Sequence, residues 1–175
     1  MRSRLSKEVR GNELMRSVGI RVPEIKESGY HPFPVTTKRF LGYYIMENMT
    51  REGFVELGEV LKDDDFDASM GKLVLQNVIR DIRSMADHSI VFSDLHLGNI
   101  LINKQGDTAW IDTGVTHYSF GRGYKFPRKF NDSIKRLLKQ PLLNRLADTA
   151  RQEIEALMIT GLDKKTDVVP SQQVS

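Results

Sequence analysis

Apolar and polar positions alternate along the chain in two rhythms, one helical and one extended. Residues 4–18 read as a helix, with Leu5, Val9 and Met15 on one face and Glu8 inside that arc. Gly19 ends it and Pro23 forbids a quick restart. Pro23, Gly29, Pro32 and Pro34 then predict an extended connector. Val35 to Phe40 and Gly42 to Met46 read as two strands, being rich in Val, Thr, Tyr and Phe.

An acidic run, Asp63-Asp64-Asp65-Phe66-Asp67, precedes a predicted helix over roughly 69–87. There Val74, Leu75, Val78, Ile79, Ile82, Met85 and Ala86 fill one arc of about 140°, a wide core-facing stripe that leaves Leu73 outside. The acids themselves read as a solvated loop and favourable charge at a helix start. Strands and turns follow to about residue 115. Two helices are expected next, about 132–139 and 142–159, stopped by Gly161. The polar end, 162–175, reads as a disordered tail. No repeat with a period of 20–50 residues is present.

Composition narrows the class. The chain has 175 residues, 39% apolar and 28% charged, which suits one soluble globular domain. No run approaches the eighteen apolar residues of a membrane span, and Met1 to Arg10 carry no hydrophobic signal core. Zero Cys excludes a disulfide framework, a Cys-based zinc site, an iron–sulfur cluster and thiol catalysis, and fits a cytoplasmic setting. The net charge of +3 says little, but its distribution is uneven. Between residues 117 and 140, Arg122, Lys125, Arg128, Lys129, Lys135, Arg136 and Lys139 face a single acid, Asp132.

Candidate chemistry lies in one stretch. Ile100–Asn103 and Thr108–Ile111 are apolar-rich runs separated by a polar four-residue loop holding Gly106, a β-hairpin signature. If Asn103 pairs with Thr108, the register runs through Ile102–Ala109, Leu101–Trp110 and Ile100–Ile111, and Asn99 faces Asp112 at the open end. Two hard oxygen donors then converge, an environment suited to Mg²⁺ with water and phosphate completing its shell. Asp94, five residues before Asn99, reaches the same place and suits the role of proton acceptor for an attacking hydroxyl.

This spacing resembles the catalytic and metal-binding segments of the protein-kinase-like superfamily. The wording Asp94-Leu95-His96-Leu97-Gly98-Asn99-Ile100-Leu101, followed by Asp112-Thr113-Gly114, resembles its atypical branch. That branch includes aminoglycoside and choline phosphotransferases, RIO-type kinases and bacterial lipopolysaccharide core (Kdo/heptose) kinases. Phe92-Ser93 stand where a His-Arg pair would precede the aspartate, and Thr113 replaces the Phe of Asp-Phe-Gly. Upstream, Glu8 and the Gly19-to-Pro23 run look like the family's glutamate-bearing helix and its link to the next strand. Tyr43 to Met49 look like a strand, a gatekeeper at Met46 and an adenine hinge.

The resemblance implies an α+β, kinase-like fold with residues 1–49 as a partial, truncated N-lobe and 50–161 as a small helical C-lobe. It implies ATP- and Mg²⁺-dependent phosphoryl transfer to a hydroxyl, with an acceptor such as a lipopolysaccharide-core sugar. Asp94 would be the base, Asn99 and Asp112 the metal ligands, and Glu47, Asn48 and Met49 the hinge, with Glu8 on the nucleotide side. His96 would brace the loop, and Glu13 is a rival to Glu8. Only seven residues precede Glu8, none of them Gly, so the family's first three strands, Gly-rich loop and phosphate-binding lysine have no counterpart here. A catalytically inactive binding module, or a kinase needing a further N-terminal segment, is the alternative reading. The basic segment implies an anionic acceptor or contact with the inner face of an anionic membrane. Nucleic acid is ranked last, since the neighbouring aromatics form no RNA-binding motif.

Overall fold

The computed structural model describes residues 4–32, 40–118, 123 and 125–160. The architecture is mixed α+β: three small antiparallel sheets set around one long helix and a helical C-terminal part. Of the expected strand at 35–40 only Phe40 is among the described residues, and the tail at 162–175 lies outside them, as does Gly161.

Helix α1 (Arg4–Ser17) buries Glu8, Gly11, Asn12 and Met15, spaced as one helical face. This corrects the expected face, because Leu5 and Val9 are only half-buried. The helix turns a polar, close-packed side inward. Asn12 stays satisfied there by donating Nδ2 to Pro23 O at 2.7 Å. Gly19 has φ of 79°, and the bonds Gly19 N–H to Arg16 O and Ile20 N–H to Met15 O close the helix in a Schellman turn.

The segment expected to be a connector is a strand. β1 (Ile25–Pro32) pairs antiparallel with β2 (Phe40–Met46), from Ile25 opposite Met46 to Pro32 opposite Phe40, with an irregularity between Ile25 and Glu27. The sequence Ile-Lys-Glu-Ser-Gly-Tyr-His-Pro has no apolar alternation because this ribbon does not face the core. Tyr30, Tyr43, Tyr44, Ile45 and Met46 are all exposed. A backbone bond from Trp110 N–H to Arg21 O ties the approach to β1 onto the rest of the molecule.

After a 3₁₀ turn at Met49–Glu52, β3 (Val55–Glu56) leads into the single-turn α2 (Leu57–Val60). Helix α3 (Ala68–Asp87) is capped by Asp67, whose carboxylate accepts from Ser69 N–H. Its stripe is buried as expected from Val74 to Met85, and Leu73 is exposed. One polar residue shares that stripe. Asp81 Oδ2 accepts from both Thr108 Oγ1 and Trp110 Nε1 at 2.8 Å, so α3 holds the hairpin by a buried carboxylate.

β4 (Ile90–Val91) pairs with β7 (Thr116–His117), while β5 (Ile100–Ile102) lies between β3 and β6 (Thr108–Trp110). The expected hairpin exists, but its register is one residue off. Ile100 faces Trp110, Leu101 faces Ala109 and Ile102 faces Thr108. Gly106 adopts φ of 82°, and Asn103 Oδ1 accepts from the Gln105 and Asp107 N–H groups. The turn is therefore a three-residue loop with a left-handed glycine, closed by Asn103 and Asp107 rather than by Asn103 and Thr108.

Helix α4 (Lys125–Leu138) begins seven residues earlier than expected, with Pro127 in its first turn, where a missing N–H costs nothing. The last expected helix is broken into a 3₁₀ turn, Pro141–Arg145, and a short α5 (Ala150–Glu155). Arg151 donates to the carbonyls of Leu138 and Gln140, satisfying the frayed end of α4 and fixing that break. Phe126, Phe130, Ile134 and Leu137 of α4 join the α3 stripe, Phe92 and Trp110 in the main core.

Candidate active site

The loop entering β5 is held by its apolar residues. Leu95 and Leu97 are buried on either side of His96, which leaves Asp94 half exposed. His96 starts the 3₁₀ turn Leu97–Asn99, with Nδ1 accepting from Gly98 N–H at 3.1 Å. That bond places the neutral ring's proton on Nε2, which lies 3.6 Å from Asp94 Oδ2, beyond hydrogen-bond range. The histidine thus braces the loop, as expected.

Asn99 is 7% exposed and makes the central connection. Its Nδ2 donates to Asp94 O at 2.9 Å, and its backbone carbonyl accepts from Ile111 N–H at 3.1 Å. The structure therefore joins Asp94 to Asn99 directly and sets Asp112 one residue beyond Asn99's cross-strand partner. The expected Asn99–Asp112 pairing is corrected to Asn99–Ile111 by the shorter turn. Because Asn99 commits its amide nitrogen to Asp94, Oδ1 is the end left for a cation, the oxygen donor that Mg²⁺ requires.

Asp112 has φ of 54°, a left-handed conformation uncommon outside Gly, Asn and Asp. The two residues after it are bound back tightly, Gly114 N–H to Asp112 O at 2.8 Å and Val115 N–H to Thr113 O at 2.6 Å. Strain of this kind concentrates where a backbone must aim a side chain. Helix α1 seats this loop: Thr113 Oγ1 donates to Glu8 O at 3.2 Å, and a Cβ on Gly114 would lie 2.7 Å from Glu8 Oε1. Glu8 is buried against the Asp-Thr-Gly turn, whereas its rival Glu13 is exposed.

A small pocket separates these groups from the sheet. It is lined by Glu8 and Asn12 of α1, by Tyr44 and Met46 of β2, and by Asp112 and Thr113. Its volume of about 20 Å³ is room for one water, so Tyr44 and Met46 stand close to the Asp112 turn. Among the described residues, no three His, Asp or Glu side chains form a metal cage. One carboxylate plus one amide oxygen is a sparse donor set that fits a phosphate-bound Mg²⁺ better than a protein-caged ion.

The hinge candidates divide. Glu47 and Glu24 are linked twice, by Glu47 N–H to Glu24 O at 2.8 Å and by Glu24 N–H to Glu47 Oε2 at 3.1 Å. The Glu24 N–H first, then a side-chain hydrogen bond with Glu52, and after these the charges of Arg21 and Lys26, hold the Glu47 carboxyl below the usual glutamate range. Asn48 caps the 3₁₀ turn by accepting from Thr50 N–H, and its carbonyl takes Arg51 N–H. Met49 is buried with Phe54, Leu101 and Ala109, and its carbonyl takes Phe54 N–H.

Three participants escaped the sequence reading. Arg136 was one cation among seven, yet Nη1 lies 2.9 Å from Asp94 Oδ1. Asp81 carried no motif. Gly11 had a visible signal, since glycine inside a helical pattern is unfavourable unless something must approach closely. The chain matches no family model, and a search of curated proteins finds no match.

Proposed function

We propose that this protein is a kinase-like phosphotransferase that moves the γ-phosphoryl group of Mg²⁺-bound ATP to a hydroxyl acceptor. The supporting fold reading is protein-kinase-like, with a reduced N-terminal lobe of α1, β1 and β2 and a helical C-terminal lobe. One observation carries it: buried Asn99 binds Asp94 through its side chain and Ile111 through its backbone, drawing Asp94, Asn99 and left-handed Asp112 around one hairpin mouth. In this reading Asp94 orients the acceptor and takes its hydroxyl proton. The acceptor oxygen gains the bond to phosphorus as the bond to the ADP leaving oxygen breaks. Asn99 and Asp112 would hold the Mg²⁺, which when bound would supply neutralising charge to the phosphates, while Glu47 to Met49 would lie on the adenine side. A lipopolysaccharide-core-type sugar, cytoplasmic and near the inner membrane face, is the acceptor class that the basic α4 supports.

The narrow pocket beside Met46 and Asp112 favours a second reading, a kinase-derived binding module without turnover. Calorimetry with ATP, with and without Mg²⁺, separates the two. Phosphotransfer requires saturable Mg²⁺-dependent binding that Asp112→Asn weakens while leaving the fold intact, because Asn accepts the same backbone conformation. A folded protein that does not bind Mg²⁺–ATP would sink phosphotransfer by this chain and leave the module.

A further inference from the structure

Helix α4 has two sides. Phe126, Phe130, Ile134 and Leu137 enter the core, while Arg128, Lys129, Lys135 and Arg136 face outward with Asp132 as the single acid of the helix. Of these cations Arg136 is bonded to the candidate base, Nη1 to Asp94 Oδ1 at 2.9 Å. The side chains are 55% and 52% exposed, and a pair so open to water adds little to stability. It has a geometric consequence instead, since the Asp94 Oδ1 engaged by the guanidinium is not open to an incoming hydroxyl.

A guanidinium offers five N–H donors in a planar fork, and a phosphate monoester matches that fork with more charge than a carboxylate. We propose that Arg136 is the seat for a phosphate group on the hydroxyl-bearing acceptor. Moving from Asp94 to that phosphate, Arg136 frees the Asp94 carboxylate and holds the acceptor beside it. The rest of the α4 face steers the anion toward this seat. Arg136 is thus a specificity-determining residue whose resting partner is the base. The role assigned to Asp94 rests on the phosphotransferase reading, whereas the anion seat needs no nucleotide.

The test is a calorimetric titration of the full chain at low salt, without ATP or Mg²⁺, using glucose 6-phosphate and glucose. Glucose 6-phosphate should bind and glucose should not. Arg136→Ala should weaken that binding roughly tenfold or more, the loss expected for a charged hydrogen-bonded contact, with Arg136→Lys intermediate. Asp94→Asn should tighten it, because the competing carboxylate charge is gone. A merely structural surface pair would leave all these affinities equal, and that result overturns the proposal even if one variant misfolds. So would binding to phosphatidylglycerol vesicles without any glucose 6-phosphate binding, which would assign α4 to a membrane surface. Failure to bind Mg²⁺–ATP would count against phosphotransfer without altering this titration.

Discussion

The carbonyl oxygen of Thr113 occupies the place that a Cβ on Gly11 would take. Helix α1 therefore rests its backbone directly on the turn that aims Asp112, and the Thr113 hydroxyl bonds back to Glu8 O one turn earlier. No side chain lies between the two elements at this point. Any movement of α1 is transmitted to Asp112 by hard contact.

Gly11→Ala should therefore destabilise the protein. In an exposed helix the same change would stabilise by about 1 kcal/mol through propensity. Here the added methyl meets a backbone carbonyl that cannot rotate away, and overpacking of this kind costs about 1–3 kcal/mol. Urea denaturation should show the lower midpoint, and amide shifts at Thr113 and Gly114 should move most. An unchanged midpoint would mean that α1 does not sit where it is described.

Asp81→Ala should be among the most damaging single changes in the helical part. It orphans the Thr108 hydroxyl and the Trp110 indole N–H, both buried, at about 1–3 kcal/mol each. Trp110 is the only tryptophan, so its fluorescence reads the same site during unfolding. Wild-type stability in this variant would show that the two donors find other acceptors.

At Asp112, conformation and charge can be varied separately. Asp112→Gly should relieve a left-handed strain of about 1 kcal/mol and raise the melting temperature, yet lose Mg²⁺-dependent ATP binding. Asp112→Asn should keep near-native stability and lose the same binding. Gain of stability with unchanged nucleotide binding would remove Asp112 from the metal set.

Glu47 should confer acid sensitivity on the start of the β1–β2 ribbon. Its carboxyl lies below the ordinary value of 4.5 when folded, chiefly because Glu24 N–H bonds the charged form. Its contribution is therefore complete above that ordinary value and is lost as pH falls through the lower folded one. The Glu24 amide resonance should report this titration, and Glu47→Gln should abolish it. An identical acid response in the variant would point to another group.

What the sequence disclosed followed from how strongly each segment's pattern tied to burial. The α3 stripe was legible because Val74, Leu75, Val78, Ile79, Ile82 and Met85 all meet the core. The hairpin was legible too, but its register hung on whether Gly106 would close a three-residue or a four-residue loop, which side-chain alternation alone does not decide. β1 was missed because its residues pack on little and so carry no pattern. Asp94, Asn99 and Asp112 stood out by spacing, whereas Arg136 and Asp81 act from helices remote in sequence, through contacts that only the packing of α3 and α4 creates.

No described side chain of β1 or β2 belongs to the apolar clusters that hold the helices and the hairpin. Amide protons should accordingly exchange on two timescales. Those of the ribbon would be lost early through local opening, while those of α3 and β6 would wait for global unfolding. The Tyr44 and Met46 wall of the small pocket would then loosen and re-form while the turn bearing Asp112 stays protected, widening a gap otherwise sized for one water without unfolding the rest.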